Sequence, residues 1–186
     1  MKTLIICSGG LDSTAMALLK RSQGHQIGLA TFDYGQKAKC EIEAAHTLAD
    51  RLDCEFQLFD VSTLKAIFGT DNQLTNTEVV VEGSYTPSVV VPLRNSFFLQ
   101  VAYIYAVTHG YDEIALGSHL SDITLDADGE AMYPDCSPKF HQAFEDAMLV
   151  GLRSEDKQVK VTSASLEGLS KSALLALFTR PAGCNA

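Results

Sequence analysis

The sequence predicts a three-layer α/β/α fold, in which a five-stranded parallel sheet lies between two layers of helices. Three observations support this prediction. Short apolar runs alternate with helical patterns along the chain, which is typical of successive βαβ units. The first run, Thr3–Cys7, is apolar or β-branched throughout, as expected for a parallel strand buried on both faces. The 186 residues are 46% hydrophobic, so we expect a single domain with a sizeable core over residues 1–186.

The first half of the chain contains the first three predicted strands and two helices. A helix over Asp12–Ser22 follows the first strand, and Gly24 marks its end. The second strand is His25–Phe32. A helix over Lys37–Leu52 is predicted because alanines and leucines recur there at helical spacing. Glu55–Val61 is the third strand.

The second half alternates in the same way after a long connection. Residues 62–93 contain one candidate short helix, Leu64–Phe68, and a connection of this length in a compact domain is often a functional loop. An apolar helix over Asn95–Val107 and a fourth strand over Glu113–Leu116 follow. The last elements are a helix, a strand and a helix, over Phe140–Leu152, Val159–Thr162 and Ser170–Phe178.

The charge balance argues against a nucleic-acid partner. Asp and Glu total 23 against 14 Lys and Arg, for a net charge of −9, whereas a protein that grips a phosphate backbone needs a basic surface. No apolar run approaches the roughly 20 residues of a membrane span, and the N-terminus lacks a signal-peptide layout. Five scattered cysteines argue against a disulfide framework. We therefore expect a cytoplasmic protein that acts on a small molecule.

Residues 8–14, S-G-G-L-D-S-T, stand between the first strand and the first helix, where parallel α/β sheets bind their ligands. The glycines permit a tight turn, the N–H groups of the helix start attract an anion, and the hydroxyls add donors. A carboxylate beside phosphate requires a cation, which Mg²⁺ supplies. The alternative is that Asp12 is only an N-cap. The expected nucleotide-binding residues here are Cys7, Ser8, Gly9, Gly10, Leu11, Asp12, Ser13 and Thr14.

This loop is neither of two well-known phosphate-binding loops. It lacks the G-x-x-x-x-G-K-[ST] pattern of Walker A and the G-x-G-x-x-G pattern of dinucleotide sites. It resembles the S-G-G-x-D-S loop of the PP-loop ATP pyrophosphatases, which have an adenine nucleotide alpha hydrolase-like fold. The resemblance implies that the loop binds the phosphates of ATP. It also implies that a substrate oxygen is adenylated before a nucleophile displaces AMP.

Four further stretches narrow the resemblance: T-F-D-Y-G-Q (31–36), V-P-L-R-N-S-F-F-L (91–99), G-S-H-L-S-D (117–122) and Y-P-D-C-S-P-K-F (133–140). Together with the loop they are similar to the 7-cyano-7-deazaguanine synthase (QueC) family, from Lys2 to about Leu177. The resemblance implies a ligase of queuosine biosynthesis that converts 7-carboxy-7-deazaguanine and ammonia to the 7-cyano compound, preQ0. The reaction uses ATP and passes through an acyl adenylate and an amide. The resemblance also implies a homodimer.

The family motifs, carried over residue by residue, give the expected site. The resemblance assigns catalysis to Asp12, Arg94 and Lys171, since an arginine fork holds a carboxylate or phosphate and a lysine stabilises phosphate charge. The alternative for Arg94 and Lys171 is a solvated surface residue, and for Cys136 a core thiol. The nucleotide is also expected to contact Asp33 and Tyr34. The expected substrate-binding residues are Arg94, Asn95, Gly117, His119, Asp122, Tyr133, Pro134, Asp135 and Cys136.

The chain departs from the family at three places. Leu93 stands where the family commonly has glycine, and residues 123–132 are an insertion. Members usually carry a structural zinc site of four cysteines, for which Cys184 is the one candidate Zn²⁺ ligand here. We interpret residues 179–186 as a remnant of the zinc-binding segment, with residues missing from the chain. If the chain is complete, the zinc site is absent.

Two other functions stay open at the level of the sequence. An enzyme of this type could adenylate a different carboxylate acceptor, such as a protein, which the insertion and Leu93 slightly favour. A nucleotide-binding module without turnover is the other, and Asp12, Arg94 and the Y-P-D-C stretch weigh against it. A tRNA thiolation enzyme is disfavoured by the acidic balance and by the lack of paired catalytic cysteines.

Overall fold

The computed structural model of the chain describes residues 1–36, 39–63, 93–125, 128, 129 and 131–179. The strands are β1 (Lys2–Ile6), β2 (Gln26–Asp33), β3 (Glu55–Asp60), β4 (Glu113–Leu116) and β5 (Lys160–Ser163). The helices are α1 (Leu11–Ser22), α2 (Cys40–Leu52), α3 (Arg94–Thr108), α4 (Pro138–Gly151) and α5 (Lys171–Thr179). Every predicted strand and helix in this part of the chain is present. The boundaries differ by one or two residues, except that α2 begins at Cys40, just after residues 37 and 38, which are not described.

The sheet is parallel throughout and has the strand order β3-β2-β1-β4-β5. In the middle strand, Ile5 pairs with Leu29 of β2 on one side and with Ala115 of β4 on the other. The chain therefore moves outward from β1 through β2 and β3, and then crosses to the other side of β1. The carboxyl ends of β1 and β4 border this switch point, which is where open α/β sheets bind their ligands.

The helices cover both faces of the sheet, which confirms the predicted three layers. Neighbouring residues of β1 show the alternation: Leu4 belongs to the core on the side of α3 and α4, and Ile5 to the core on the side of α1, α2 and α5. Both side chains are almost fully buried, and each burial stabilises the fold by about 1.5–3 kcal/mol. The small alanines of α1 and α2 let these helices approach the sheet closely: Ala15, Ala17, Ala45 and Ala49.

Several expectations fall on residues that the structure does not describe. The candidate helix Leu64–Phe68 and the candidate zinc ligand Cys184 lie outside the described residues. Of the insertion at 123–132, Leu125 and Ala131 form an isolated antiparallel bridge. No described helix has the length and apolar character needed to cross a bilayer.

Candidate active site

The turn after β1 is shaped by a glycine that no other residue could replace. Gly9 has a φ of +79°, and a Cβ at this position would lie 2.1 Å from the carbonyl oxygen of Glu41 in α2. The N-cap of α1 is Gly10, and Asp12 lies inside the first helical turn. The alternative of Asp12 as an N-cap is therefore wrong. Its side chain is directed by the helix start to the switch point beside β4.

The hydroxyl groups of this loop form hydrogen bonds to the backbone of the same loop. Ser8 Oγ accepts from the Gly10 N–H at 3.3 Å, and Ser13 Oγ and Thr14 Oγ1 both donate to the Gly10 carbonyl, at 3.1 and 2.8 Å. The loop is thus held in shape by its hydroxyls, and the first backbone N–H groups of α1 have no acceptor within the helix.

The loop after β4 rests directly on the first turn of α1. A Cβ at Gly117 would lie 2.7 Å from both the Asp12 carbonyl carbon and the Ser13 nitrogen, so only glycine allows this approach. The approach brings His119, which is 3% exposed, to the carboxylate of Asp12. The two predicted stretches S-G-G-L-D-S and G-S-H-L-S-D therefore form one edge of the same site.

Asp12 lies between two basic side chains. His119 Nε2 is 3.6 Å from Asp12 Oδ1, and Lys171 Nζ is 3.1 Å from Asp12 Oδ2. On the far side of the imidazole, Asp122 Oδ2 lies 3.2 Å from His119 Nδ1 and accepts the His119 backbone N–H at 2.9 Å. Four predicted site residues from α1, the β4 loop and α5 are thus brought together around one carboxylate.

Arg94 forms a second charged centre with Tyr34. Its Nη1 is 3.5 Å from the Tyr34 hydroxyl, and its guanidinium carbon lies 5.6 Å from the centroid of that ring. Burial raises the pKa of Tyr34, and the Arg94 charge opposes this. Burial also raises the pKa of Glu41, again opposed by Arg94. Sequence reasoning missed Glu41. Its one signal was its place in the first turn of the helix after D-Y-G-Q.

The start of α3 is bonded to the Y-P-D-C turn. The Asn95 backbone N–H donates to Asp135 Oδ2 at 3.1 Å, and Asn95 Nδ2 donates to Cys136 Sγ at 3.3 Å. Burial, with the nearby Asp135 and Asp122 carboxylates, raises the pKa of Cys136 to about 12. The thiol is therefore neutral and acts as a packed acceptor, as the core-thiol alternative holds. The Tyr133 N–H donates to the Asp122 backbone oxygen at 3.1 Å and joins this turn to the β4 loop.

Two predicted residues lie less directly on the site. Asp33 is paired within its own turn: both carboxylate oxygens lie 2.6 Å from Lys39 Nζ, and Oδ1 accepts the Gly35 N–H at 3.0 Å. Pro134 is exposed at the outer side of the Y-P-D-C turn. Gln36, which is 6% exposed, braces the D-Y-G-Q turn through the Phe32 carbonyl.

Buried polar atoms without hydrogen-bond partners collect at this edge of the sheet. They are Asp12 Oδ1, Arg94 Nε and Ser118 Oγ, to which Tyr103 and His141 add further ones within the described part of the chain. His119 Nδ1 has Asp122 Oδ2 at 3.2 Å as an ion-pair contact. Buried polar groups are nearly always paired, and each unpaired one costs about 1–3 kcal/mol. The carboxyl edge of the sheet therefore holds buried polar atoms to which a bound ligand could form hydrogen bonds.

The residues present fit Mg²⁺ better than Zn²⁺. Asp12 Oδ1 accepts no hydrogen bond and has only the His119 Nε2 contact at 3.6 Å, and Mg²⁺ is usually held by one or two carboxylates together with phosphate oxygens. Among the described residues, by contrast, no three His, Cys, Asp or Glu side chains are placed to hold a metal. Cys7, Cys40, Cys54 and Cys136 are separate free thiols.

The doubly wound parallel sheet, with a glycine turn and a carboxylate at its switch point, places the chain among the α/β proteins whose ligand site lies at the carboxyl edge of the sheet. The family model described as "Queuosine biosynthesis protein QueC" matches residues 2–180, so the chain belongs to the QueC family. The 7-cyano-7-deazaguanine synthases of Brucella ovis and Brucella suis are each 38% identical to it over 149 residues, which cover 78% of this chain and 61% of each relative. The chain thus spans about three fifths of the length of these relatives.

Two solved structures share the fold. The U34-tRNA thiolase NcsA from Methanococcus maripaludis aligns with a TM-score of 0.54 and 18% identity, over 95% of this chain and 56% of that one. A predicted subunit of tRNA methyltransferase from Methanocaldococcus jannaschii aligns with a TM-score of 0.55 and 18% identity, over 95% of this chain and 73% of that one. Both alignments support the PP-loop fold predicted from the sequence.

Proposed function

We propose that the chain is an ATP-dependent ligase that converts 7-carboxy-7-deazaguanine and ammonia to 7-cyano-7-deazaguanine. The observation that carries this proposal is the pairing of Asp12 with His119 and Lys171 beside the turn after β1, together with buried polar atoms on Asp12 and Arg94 that have no hydrogen-bond partner. Membership of the QueC family supports it, as do relatives named 7-cyano-7-deazaguanine synthase. The acidic balance of the chain agrees with a small-molecule substrate and no nucleic-acid partner.

The nucleotide would lie against the turn after β1. The N–H groups of residues 9–13 and the helix dipole of α1 bind the phosphates, with the flanking residues 7, 8 and 14 holding the turn in shape. Asp12 would hold Mg²⁺, which when bound neutralises phosphate charge. Lys171, 3.1 Å from Asp12, is then placed to contact the phosphates as well. Asp33 and Tyr34, at the end of β2, border the nucleotide.

The acceptor would lie between the β4 loop, the start of α3 and the Y-P-D-C turn. Arg94 binds its carboxylate, since a guanidinium fork matches a carboxylate in geometry. One wall of the acceptor pocket is formed by Asn95 and residues 133–136, and its floor is formed by Gly117 and His119. The free oxygens of Asp122 and Asp135 accept from the N–H groups of the ring. The neutral thiol of Cys136 serves as packing in this arrangement and not as a nucleophile.

The chemistry follows from holding two anions close together. A carboxylate oxygen attacks the α-phosphorus of ATP, pyrophosphate leaves, and ammonia displaces AMP from the acyl carbon to give the amide. A second ATP activates the amide oxygen in the same way with release of pyrophosphate, and loss of AMP, which takes the oxygen, and of both protons of the nitrogen gives the nitrile. Arg94 and Lys171 offset the repulsion between substrate and phosphates. His119, between two carboxylates, is placed to contact the adenylate or to accept a proton.

Further properties expected from the family belong to the same proposal. We propose one PP-loop domain, a cytoplasmic location, a homodimer, and Cys184 as a ligand of a structural Zn²⁺ in the C-terminal segment. Metal analysis of the purified protein and light scattering test the last two. In a protein that carries the three further cysteines of the family site, about one zinc per chain and a dimer mass are expected, and a metal-free monomer would contradict both.

Mass spectrometry of the reaction tests the main proposal. The full-length protein is incubated with 7-carboxy-7-deazaguanine, ATP, Mg²⁺ and ammonium, with matched reactions that omit ATP or ammonium. The amide is expected first and the nitrile second, neither without ammonium, and an acyl adenylate only when ATP is present. ATP binding without adenylate or product would reject this substrate and point to a different carboxylate acceptor.

A further inference from the structure

A chain of buried side chains connects α4 to the Y-P-D-C turn. His141, in the first turn of α4, is completely buried, and its Nδ1 lies 3.0 Å from Ser163 Oγ at the end of β5. Ser163 Oγ lies 2.9 Å from Ser165 Oγ, which donates to the Cys136 carbonyl at 2.9 Å. Both serines are buried as well. The imidazole therefore reaches the turn through two hydroxyls.

The hydrogen bonds determine where the protons lie. Ser165 donates its single hydroxyl hydrogen to the Cys136 carbonyl, so the bond between the two serines requires the hydrogen of Ser163. Ser163 Oγ also accepts the Leu166 N–H at 3.1 Å. In this pattern Nδ1 of His141 is the donor to Ser163, and the Asp135 backbone carbonyl is a second acceptor near the ring. Burial lowers the pKa of His141 to about 4, with the Asp135 backbone acting in the opposite direction, so the ring is neutral at neutral pH.

The Y-P-D-C turn is held from two sides. Asn95 binds the side chains of Asp135 and Cys136 from α3. The His141 chain holds the backbone of the same turn, at the Cys136 carbonyl. Without a donor at position 141, the Ser163 hydroxyl is left free to turn away from Ser165, and the hold on the backbone weakens. The side chains that form the acceptor wall would then lose their fixed position.

We propose that His141 is a positioning residue for the acceptor, acting through Ser163 and Ser165 on the Tyr133–Cys136 wall without touching the substrate. This inference rests on the proposed function, in which that turn forms the acceptor wall. The proposal predicts different effects on the two substrates. The nucleotide binds at the turn after β1, whereas the Tyr133–Cys136 wall contacts only the acceptor. A defect at His141 should therefore appear in acceptor binding and not in ATP binding.

Two variants of the full-length protein form a matched pair. His141→Leu has a similar volume but no donor, whereas His141→Asn carries an amide N–H close to the position of Nδ1. We expect His141→Leu to raise the KM for 7-carboxy-7-deazaguanine about tenfold, the usual effect of one lost hydrogen bond, and to leave the KM for ATP within about twofold. His141→Asn should recover most of the acceptor affinity. An equal rise of both KM values, or an Asn variant no better than the Leu variant, would overturn the proposal.

A second readout needs no turnover. Nitrogen-15 NMR of the imidazole should show the hydrogen on Nδ1, and the amide resonances of Asn95 and Cys136 should move in His141→Leu and return in His141→Asn. A hydrogen on Nε2, or amide resonances of the turn that do not move, would reject the network. If the wild-type protein forms no nitrile, the proposed function fails, and the NMR result alone decides whether His141 positions the turn.

Discussion

The edge of the sheet at the amino ends of the strands (the amino edge) and the edge at their carboxyl ends (the carboxyl edge) both hold charged residues, but these residues differ in how completely they are paired. At the amino edge, Glu113 begins β4, is 7% exposed, and lies 3.2 Å from Lys20 Nζ. Lys20 is 4% exposed and also pairs with Glu167, at 2.8 Å. At the carboxyl edge, Asp12 and Arg94 are partly enclosed but keep buried atoms without partners. The same fold thus carries a closed ionic network at one end and an open one at the other.

Under the proposed function, the difference separates residues that stabilise the fold from residues that bind the substrates. Removing one member of a closed buried pair leaves an uncompensated charge and costs about 3–5 kcal/mol. Removing the Asp12 carboxylate should cost less, because its partner Lys171 is half exposed to solvent and Asp12 Oδ1 accepts no hydrogen bond in the free protein. Substitutions at the amino edge should therefore affect stability, and substitutions at the carboxyl edge should affect function.

The largest effect is expected for Asp12→Asn. Loss of the carboxylate charge should lower kcat/KM by about 10³-fold or more, while the free energy of unfolding changes by less than about 1 kcal/mol. Steady-state kinetics and urea denaturation measure the two quantities. Asp50→Asn is the control, since its side chain is 72% exposed on α2 and pairs only with His46. An Asp12→Asn protein that is much less stable but retains activity would contradict the prediction, because Asp12 would then stabilise the fold as Glu113 and Lys20 do.

Glu113→Gln is expected to show the reverse pattern. It should lower the free energy of unfolding by about 3 kcal/mol, because the buried Glu113 carboxylate faces Thr3 and His25 as well as Lys20, and water does not reach this position to replace it. Activity per folded molecule should stay within about twofold of the wild type. Glu167→Gln is the matched control, since its side chain is 27% exposed and the predicted loss is about 1 kcal/mol or less. A large loss of activity in a Glu113→Gln protein that is fully folded would contradict a purely stabilising role of the amino edge.

The buried His141 predicts a pH dependence of stability. Its pKa is lowered from 6.5 to about 4 in the folded protein, so the unfolded chain takes up the proton first as the pH falls. Stability is then fully present above about pH 6.5 and is lost toward pH 4, by about 3 kcal/mol in total. Urea denaturation at several pH values should show that the advantage of the wild type over His141→Asn shrinks across this window. A constant difference between the two proteins would show that the ring does not titrate there.

The smallest effect compares two residues with positive φ. Leu93 (φ 57°) precedes Arg94 at the carboxyl edge, and Asp53 (φ 46°) ends α2 at the amino edge. Leu93 is 65% exposed, so Leu93→Gly relieves the left-handed backbone without losing core, and should add up to about 1 kcal/mol to stability. Asp53→Gly should gain less, because Asp tolerates this conformation better. Only Leu93→Gly should change the KM of the acceptor, since Arg94 follows it directly.

The sequence predicts the elements well because hydrophobic period and glycine positions are local signals. The alternation of strands and helices and the position of Asp12 at the switch point follow from them. Contacts between distant segments could not be read in this way. The bond between Asp12 and Lys171 spans 159 positions, and the His141 chain joins three separate segments. Asp33, expected at the nucleotide, is paired with Lys39, because a lysine in the following helix start folds back onto it.

Hydrogen exchange of the wild-type protein, with and without a non-hydrolysable ATP analogue and Mg²⁺, tests the division between the edges most directly. We expect slower exchange at the N–H groups of residues 9–13 and in the β4 loop at 117–119. We expect no change around Lys20, His25 and Glu113. Protection at the amino edge, or unchanged exchange after β1 at a saturating concentration of the analogue, would contradict the assignment of the carboxyl edge as the nucleotide site.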